Sequence, residues 1–371
     1  MKKTAFLVCF SISGLLVHAQ LRCGTRTPLT PLRTPPGITY NSITDGEKYV
    51  QLYVFNIFNN AGTDSAWSLT EIENEFKATA EDFKKYGICL VFAGYKKLFN
   101  TGWLNFDANN IDQITGVPGT VANNAITIYL HKGLVLGGQG LNGIAYSIPS
   151  TVMSVSRGAI NNFSIGHELG HCFGLYHTFE TAYGLECPDG SNCTDAGDFI
   201  CDTRATPDDD QYMDDNTNAS CVYTGNKGIS CNGAFRLYNP EVTNYMSYGR
   251  RPCRDIFSPN QVSRMVWNID NTVQATQVKT NLFISGINGT TLAFTNYPVQ
   301  EWNATSQLVI GDYNPLATGP VLVNGYSQVY GKAMGRVNLK PGTRLQPSAG
   351  GKIILSIVDL CFYQFNWAFL Q

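Results

Sequence analysis

Hydrophobic and polar positions divide this 371-residue chain into a short apolar leader, a long mixed region and a strand-rich end. Lys2 and Lys3 precede a largely apolar run from Ala5 to Val17, with compact side chains at Val17 and Ala19. The run is too short for a membrane helix, which needs about 20 apolar residues, and it predicts a secretion signal over 1–19, cut after Ala19. "YVQLYVFNIF", Tyr49 to Phe58, alternates enough to predict a half-buried strand. In "SLTEIENEFKATAEDFKKY" the residues Leu69, Ile72, Phe76, Ala80 and Phe83 share one helical face, and Ser68 with Glu71 makes a capping box. "ICLVFAGY" and "AITIYLH" add strands, and a second helix is placed around residue 167. A stretch of about 80 residues rich in Asp, Asn, Gly and Cys follows, a length uncommon without a functional or cross-linking reason. "SPNQVSRMVWNID" then reads as a closing helix, with Ser258 as cap, Pro259 in the first position and Gln261 completing the box. From about Thr280 short strand-like runs alternate with Asn-Gly and Pro-Gly turns, without a visible repeat.

With 43% apolar and 15% charged residues, the chain can bury one full-sized core and still supply a smaller second domain. A net charge of −2 with scattered Lys and Arg argues against a nucleic-acid partner. No later segment has the length of a membrane span, so the mature protein is expected to be soluble and secreted. Of eleven cysteines, Cys9 leaves with the signal, and Cys187, Cys193, Cys201, Cys221, Cys231 and Cys253 crowd into the irregular stretch. In an exported protein these six predict a disulfide framework, with roughly fifteen pairings open. Cys23 stands apart from them in the proline-rich leader "QLRCGTRTP".

The chemistry concentrates in "GHELGHCFGLYH". His167 and His171 are four residues apart, so both project from one helical face toward a common metal ion. Gly174 can end that helix, and the turn it permits brings His177 round as a third ligand. Three of the five histidines lie in these eleven residues, and five fixed positions match by chance roughly once in a million starts. Three imidazoles with an open fourth position describe a catalytic zinc site rather than a closed structural one. Glu168 is then placed to take a proton from a water activated by the metal.

This pattern resembles the metzincin metallopeptidases, whose other mark is a methionine turn beneath the metal, and "TNYMSYGRRPC" offers Met246 for it. The resemblance sharpens to the pappalysin family, ulilysin-like bacterial members included, through "RCGT", "HELGHCFGLYHTF", "DFICDTRATP", "NYMSY" and "FSPNQVSRM". It implies an α+β fold: a twisted mixed sheet with backing and active-site helices, and an irregular, disulfide-bonded lower subdomain. The implied layout is a short propeptide over 20–33, a zinc metallopeptidase domain over 34–275 and a small all-β C-terminal domain over 280–371. Tyr248 is implied as the donor to the developing oxyanion. Cys23 is implied as the zinc ligand of a latent form, against the alternative of a disulfide to Cys89, Cys172 or Cys361. Implied disulfides are Cys187–Cys231 and Cys221–Cys253; Cys193 and Cys201 are extra relative to that pattern, and a pair between them is one option. Calcium is implied in the loop, for which Asp189, Asp195, Asp198 and Asp202 offer oxygen ligands, a solvated acidic loop being the alternative. Family members that cut beside Arg or Lys carry an acidic residue just before the counterpart of Cys253. Here Arg250, Arg251 and Pro252 stand there, which predicts that cleavage before Arg or Lys is disfavoured.

"VNLKPGTRLQPSAGGKIILSI" is similar to small β-modules appended to secreted bacterial proteins, implying surface attachment, with a plain stabilising β-sandwich as the alternative. The function these readings support is a secreted zinc endopeptidase made as a zymogen and acting on protein or peptide substrates. The rival is an adhesin or glycan-binding protein on a degenerate metallopeptidase scaffold.

Overall fold

The computed structural model describes residues 22–160 and 164–278 and, beyond them, strands and short segments between Asn281 and Cys361. The expected secretion signal, residues 1–19, lies outside the described residues. The leader contributes a two-residue strand, β1 (Arg22–Cys23), and a single helical turn, α1 (Ser42–Asp45). The core is then built by β2 (Lys48–Phe58), α2 (Leu69–Lys84), β3 (Ile88–Phe99), β4 (Asn105–Asp107), the short α3 (Asp112–Thr115), β5 (Ile126–His131), β6 (Gly133–Leu136), β7 (Gln139–Ala145) and β8 (Val152–Ser156).

Strands β3, β2, β5 and β8 are parallel neighbours, and β7 runs antiparallel to β8 and to β6. Parallel strands need crossovers that cover both sheet faces. The segment from Leu52 to Ile57 is accordingly buried without a break, so β2 is a central strand and not the half-buried one expected from its alternation. Helix α2 covers one face with Ile72, Phe76 and Phe83 buried and Leu69 and Ala80 packed at their edge. Its capping box forms as read, with the Ser68 amide donating to Glu71 at 2.7 Å and the Glu71 amide to the Ser68 hydroxyl at 3.2 Å. Trp67, fully buried, sends its indole N–H to the His131 carbonyl at 3.2 Å, so the polar edge of the largest core side chain is satisfied.

Helix α4 (Ser164–Cys172) is buried along its whole length and separates this sheet layer from an irregular region over 173–258. That region holds only a short helix, α5 (Asp210–Asp215), a hairpin of β9 (Gly228–Cys231) and β10 (Ala234–Leu237), and one 3₁₀ turn. Disulfides Cys187–Cys231 and Cys221–Cys253, the two the resemblance implied, and Cys193–Cys201 tie it together. Cross-links replace the regular backbone ladder that so polar a stretch cannot nucleate. Helix α6 (Pro259–Asn271) closes the layer with its own capping box, and its buried Arg264 donates to the carbonyls of Asp198 at 2.6 Å and Phe199 at 3.1 Å. No helix among the described residues is long and apolar enough to cross a membrane.

Beyond Val278 the described elements are all strands: β11 (Asn281–Ile284), β12 (Leu292–Thr295), β13 (Val299–Ala304), β14 (Gln307–Ile310), β15 (Val321–Asn324), β16 (Gln328–Ala333), β17 (Arg336–Leu339), β18 (Leu345–Pro347) and β19 (Lys352–Ile357). Each pairs in parallel with the strand three places on, in ladders β11-β14-β17, β12-β15-β18 and β13-β16-β19. This is a three-sided coil of three turns, with paired positions such as Val299, Gln328 and Lys352 recurring 24 to 29 residues apart. It corrects both the absence of a repeat and the β-sandwich alternative. The repeat is one of backbone register, which short strands of differing side chains satisfy equally well, so the residue text does not display it. The coil continues the core sheet: β13 lies antiparallel to β3, the Asn303 amide donates to the Phe92 carbonyl at 3.0 Å, and Cys89 is bonded to Cys361.

That last bond closes a loop of 272 residues, for which chain entropy predicts stabilisation on the order of 5 kcal/mol as an upper value. Replacing Cys89 and Cys361 together by Ser is expected to lower the melting temperature by about 5 °C or more in calorimetry. Equal melting of variant and wild type under non-reducing conditions would show that the two parts of the sheet hold without the bond.

Candidate metal centre

Helix α4 carries His167 and His171 on one face, and the chain leaves it at Gly174, whose φ of +91° only glycine adopts without strain. The Leu175 amide closes the end by donating to the Gly170 carbonyl at 2.9 Å, and three residues later His177 faces the same point as the helix histidines. A Cβ at Gly174 would collide with the Asn268 side-chain nitrogen on α6, so the turn is enforced from two sides. The other helix glycines serve packing. A Cβ at Gly170 would meet the Met246 sulfur at 2.6 Å, and one at Gly166 would meet the Tyr245 ring at 2.9 Å. The turn carrying Met246 thus lies directly under the helix, where the Thr178 amide also donates to the Met246 carbonyl at 3.1 Å.

The three Nε2 atoms converge: His177 Nε2 is 3.2 Å from those of both His167 and His171. The far ring nitrogens fix the tautomers. His167 Nδ1 donates to the Tyr245 carbonyl at 2.6 Å and His171 Nδ1 to the Leu175 carbonyl at 2.8 Å, since a carbonyl can only accept. Both Nε2 lone pairs are left aimed at one spot. Burial pushes all three imidazoles below their usual range, His171 to about 4, so they are neutral. Neutral nitrogens held this close repel one another unless a cation lies between them. A tetrahedral zinc with nitrogen ligands at about 2.0–2.1 Å sets them about 3.3 Å apart, and the donor set fits that ion.

Cys23 completes the group, with the thiol and the three imidazoles all within 4.8 Å of one another. Its sulfur is 3.5 Å from His171 Nε2, and among the described residues Cys23 and Cys172 are the free cysteines while Cys89 and Cys361 are paired together. Strand β1 holds it there by pairing in parallel with β7, and Gly24 N donates to the Gly143 carbonyl at 2.9 Å. Glu168 faces the same space. Its Oε2 accepts from the Cys23 thiol at 3.5 Å, the Thr25 hydroxyl at 3.0 Å and the Ala145 amide at 3.0 Å. Burial pushes its pKa up to about 7. It fits against β7 only because Gly143 lacks a Cβ, which would come within 2.5 Å of it. The Tyr248 ring stands 5.3 Å from His177 and 6.2 Å from His167, at the mouth of the same space.

Asp189, Asp195, Asp198 and Asp202 do not converge, and among the described residues no three of them bring ligand atoms together. Each has its own work: Asp189 pairs with Arg236 and Asp195 with Arg33, Asp198 accepts from Thr203 and the Ile200 amide, and Asp202 caps α6 through Ser258 and Asn260. The charged residue beside the metal centre is neither Arg250, which is exposed, nor the half-buried Arg251, but Arg254. Reading the sequence missed it because only the arginines before Cys253 were weighed. Thr25 stands in the "RCGT" motif but had no role attached to it, and Gly143 carried no motif, whereas Gly166 and Gly170, four apart on one helix, were a visible signal of close packing.

Residues 96–270 match the peptidase M43 family, described as Pregnancy-associated plasma protein-A. An extracellular metalloprotease of Pyricularia oryzae is 23% identical over 290 residues, 70% of this chain and 92% of that protein. Human pappalysin-1 is 30% identical over 147 residues, 38% of this chain but only 8% of that protein's length. The solved structure of mature mirolysin from Tannerella forsythia in complex with a cleaved peptide aligns with a TM-score of 0.41 and 19% identity, covering 62% of this chain and 96% of that one.

The reversal at Gly174 is open to a direct check. Gly174→Ala adds about 1–3 kcal/mol of backbone strain and a collision with Asn268, and is expected to lower both the melting temperature and zinc uptake per chain. Unchanged zinc affinity in isothermal titration would show that His177 reaches its place without this turn.

Proposed function

We propose, from the match of residues 96–270 to the pappalysin family of metallopeptidases, that the chain is a secreted endopeptidase made in latent form, with residues 20–33 as propeptide, 34–275 as catalytic domain and 280–371 as an appended β-domain. The single observation that carries this reading is the convergence of three neutral imidazoles with the Cys23 thiol and the Glu168 carboxylate around one point. His167, His171 and His177 would hold the zinc. When bound, the ion supplies Lewis acidity, making a water acidic near neutrality and polarising the substrate carbonyl.

The protein's own groups do the rest. With its pKa raised toward 7 by burial, Glu168 accepts the water's proton as the oxygen attacks the carbonyl carbon. It then returns that proton to the leaving nitrogen as the C–N bond breaks, and the Ala145 amide keeps its Oε2 in place throughout. Tyr248 is positioned to donate to the oxygen that gains charge. In the latent form Cys23 fills the position catalysis needs, and Thr25 occupies the oxygen of Glu168 that must take the proton. The rival adhesin reading has no comparable support, since a scaffold that only bound ligands would not require a buried carboxylate against Gly143.

Full-length protein without its signal is expected to cleave casein at least about 100-fold more slowly than Cys23→Ala, which has no thiol to occupy the zinc. Equal rates would overturn the latch. In the Cys23→Ala background, Glu168→Ala is expected to lose about 1,000-fold or more in kcat while retaining one zinc per chain by metal analysis. Undiminished turnover in that variant would remove Glu168 from the chemistry.

A further inference from the structure

Beside the histidines lies a small pocket, filled on one side by the leader, whose wall includes His167, Glu168, Tyr248, Cys23 and Arg254. Arg254 is 5% exposed, and its Nη1 donates to the Ser247 carbonyl at 3.2 Å. Its Nε has no hydrogen-bond partner, and no carboxylate among the described residues forms an ion pair with it. The half-buried Arg251 adds charge of the same sign, and burial together with that neighbour pulls the Arg254 pKa down to about 10. The guanidinium is held rigidly, since Cys253, bonded to Cys221, precedes it and Ser247 belongs to the turn that carries Met246. A buried, incompletely paired cation on the wall of a pocket is an unmet demand for an anion.

Resting on the peptidase reading above, we infer that Arg254 selects an acidic side chain, Asp or Glu, on a residue flanking the scissile bond. His167 and Glu168, the groups that act on that bond, form part of the pocket wall, so the substrate side chain that reaches it belongs to a neighbouring residue. A carboxylate entering there meets the guanidinium in charge-assisted hydrogen bonds with little water to compete. A Lys or Arg side chain in the same place meets like charge in a medium of low dielectric. Arg254 is thus a specificity-determining residue.

The experiment profiles a peptide library with the zinc-loaded full chain in the Cys23→Ala form, alone and combined with Arg254→Ala, Arg254→Lys and Arg254→Glu. Asp or Glu is expected at one flanking position, with kcat/KM about 10-fold or more above the Gln counterpart. Arg254→Ala should lose that preference while still cutting neutral peptides, Arg254→Lys should keep part of it, and Arg254→Glu should turn it toward Lys and Arg. Dominant Lys or Arg with Arg254 present, or an acidic preference unchanged by Arg254→Ala, would overturn the inference. Should Arg254→Ala fail to fold, Arg254→Lys decides in its place: an acidic preference reduced but not lost supports the inference, and one identical to that of the arginine form overturns it. Cleavage without acidic preference overturns this inference alone, whereas no cleavage of any peptide overturns the peptidase reading with it.

Discussion

Three imidazole lone pairs must meet at one point, and a helix can aim only two of them. The third has to come back from a chain that has left the helix, and the left-handed turn at Gly174 is what makes the return possible within three residues. Much of the molecule closes around that turn. Asn268 stands where a side chain at Gly174 would be, and its own amide is fixed by the Arg264 carbonyl at 3.0 Å. Arg264 in turn ties down the loop at Asp198 and Phe199 and reaches Thr34 of the leader at 2.9 Å. A helix about 90 residues downstream therefore shapes the metal site without touching the metal.

The parts that could be read from the sequence are those whose cause is local. Both capping boxes need only neighbours three residues apart, and the histidine frame needs only one helix and one glycine, so all appear as read. What escaped depends on distant chain. Strand β2 alternates in sequence yet is covered on both faces, because crossover elements and α6 supply the second cover. The coil after residue 280 repeats in hydrogen-bond register, which side chains do not spell out. The loop aspartates look like a cation site in sequence because the partners of three of them, Arg236, Arg33 and the start of α6, lie far from them along the chain.

The leader is bound through many weak points and one strong one. Beyond Cys23 it rests on single contacts: Arg26 to Asn109, Leu32 to the Tyr176 hydroxyl, Arg33 over the Phe199 ring and Thr34 to Arg264. The ion pair of Arg33 with Asp195 is exposed and worth at most about 1 kcal/mol. A two-residue strand is too short to hold itself on β7, so a break between residues 26 and 33 leaves the thiol anchored by its own contacts, the Gly24–Gly143 backbone bond and the bonds of Thr25 with Glu168 and Ala145. Latency on this account is a property of the continuous leader, and cutting it anywhere in that span removes the same cooperative support.

Electrostatics connects latency with substrate choice. Three neutral imidazoles offer no charge to balance a divalent cation, and Arg254 adds a further positive group at the same pocket. The balancing charges within reach are the Glu168 carboxylate and, in the latent form, the Cys23 thiolate that a zinc ion would stabilise. Under the proposed latency, release of the leader takes the thiolate with it and leaves the pocket with a surplus of positive charge. A substrate carboxylate placed against Arg254 restores what the leader removed, so the same unbalanced charge that holds the leader in place is available to draw in an acidic substrate.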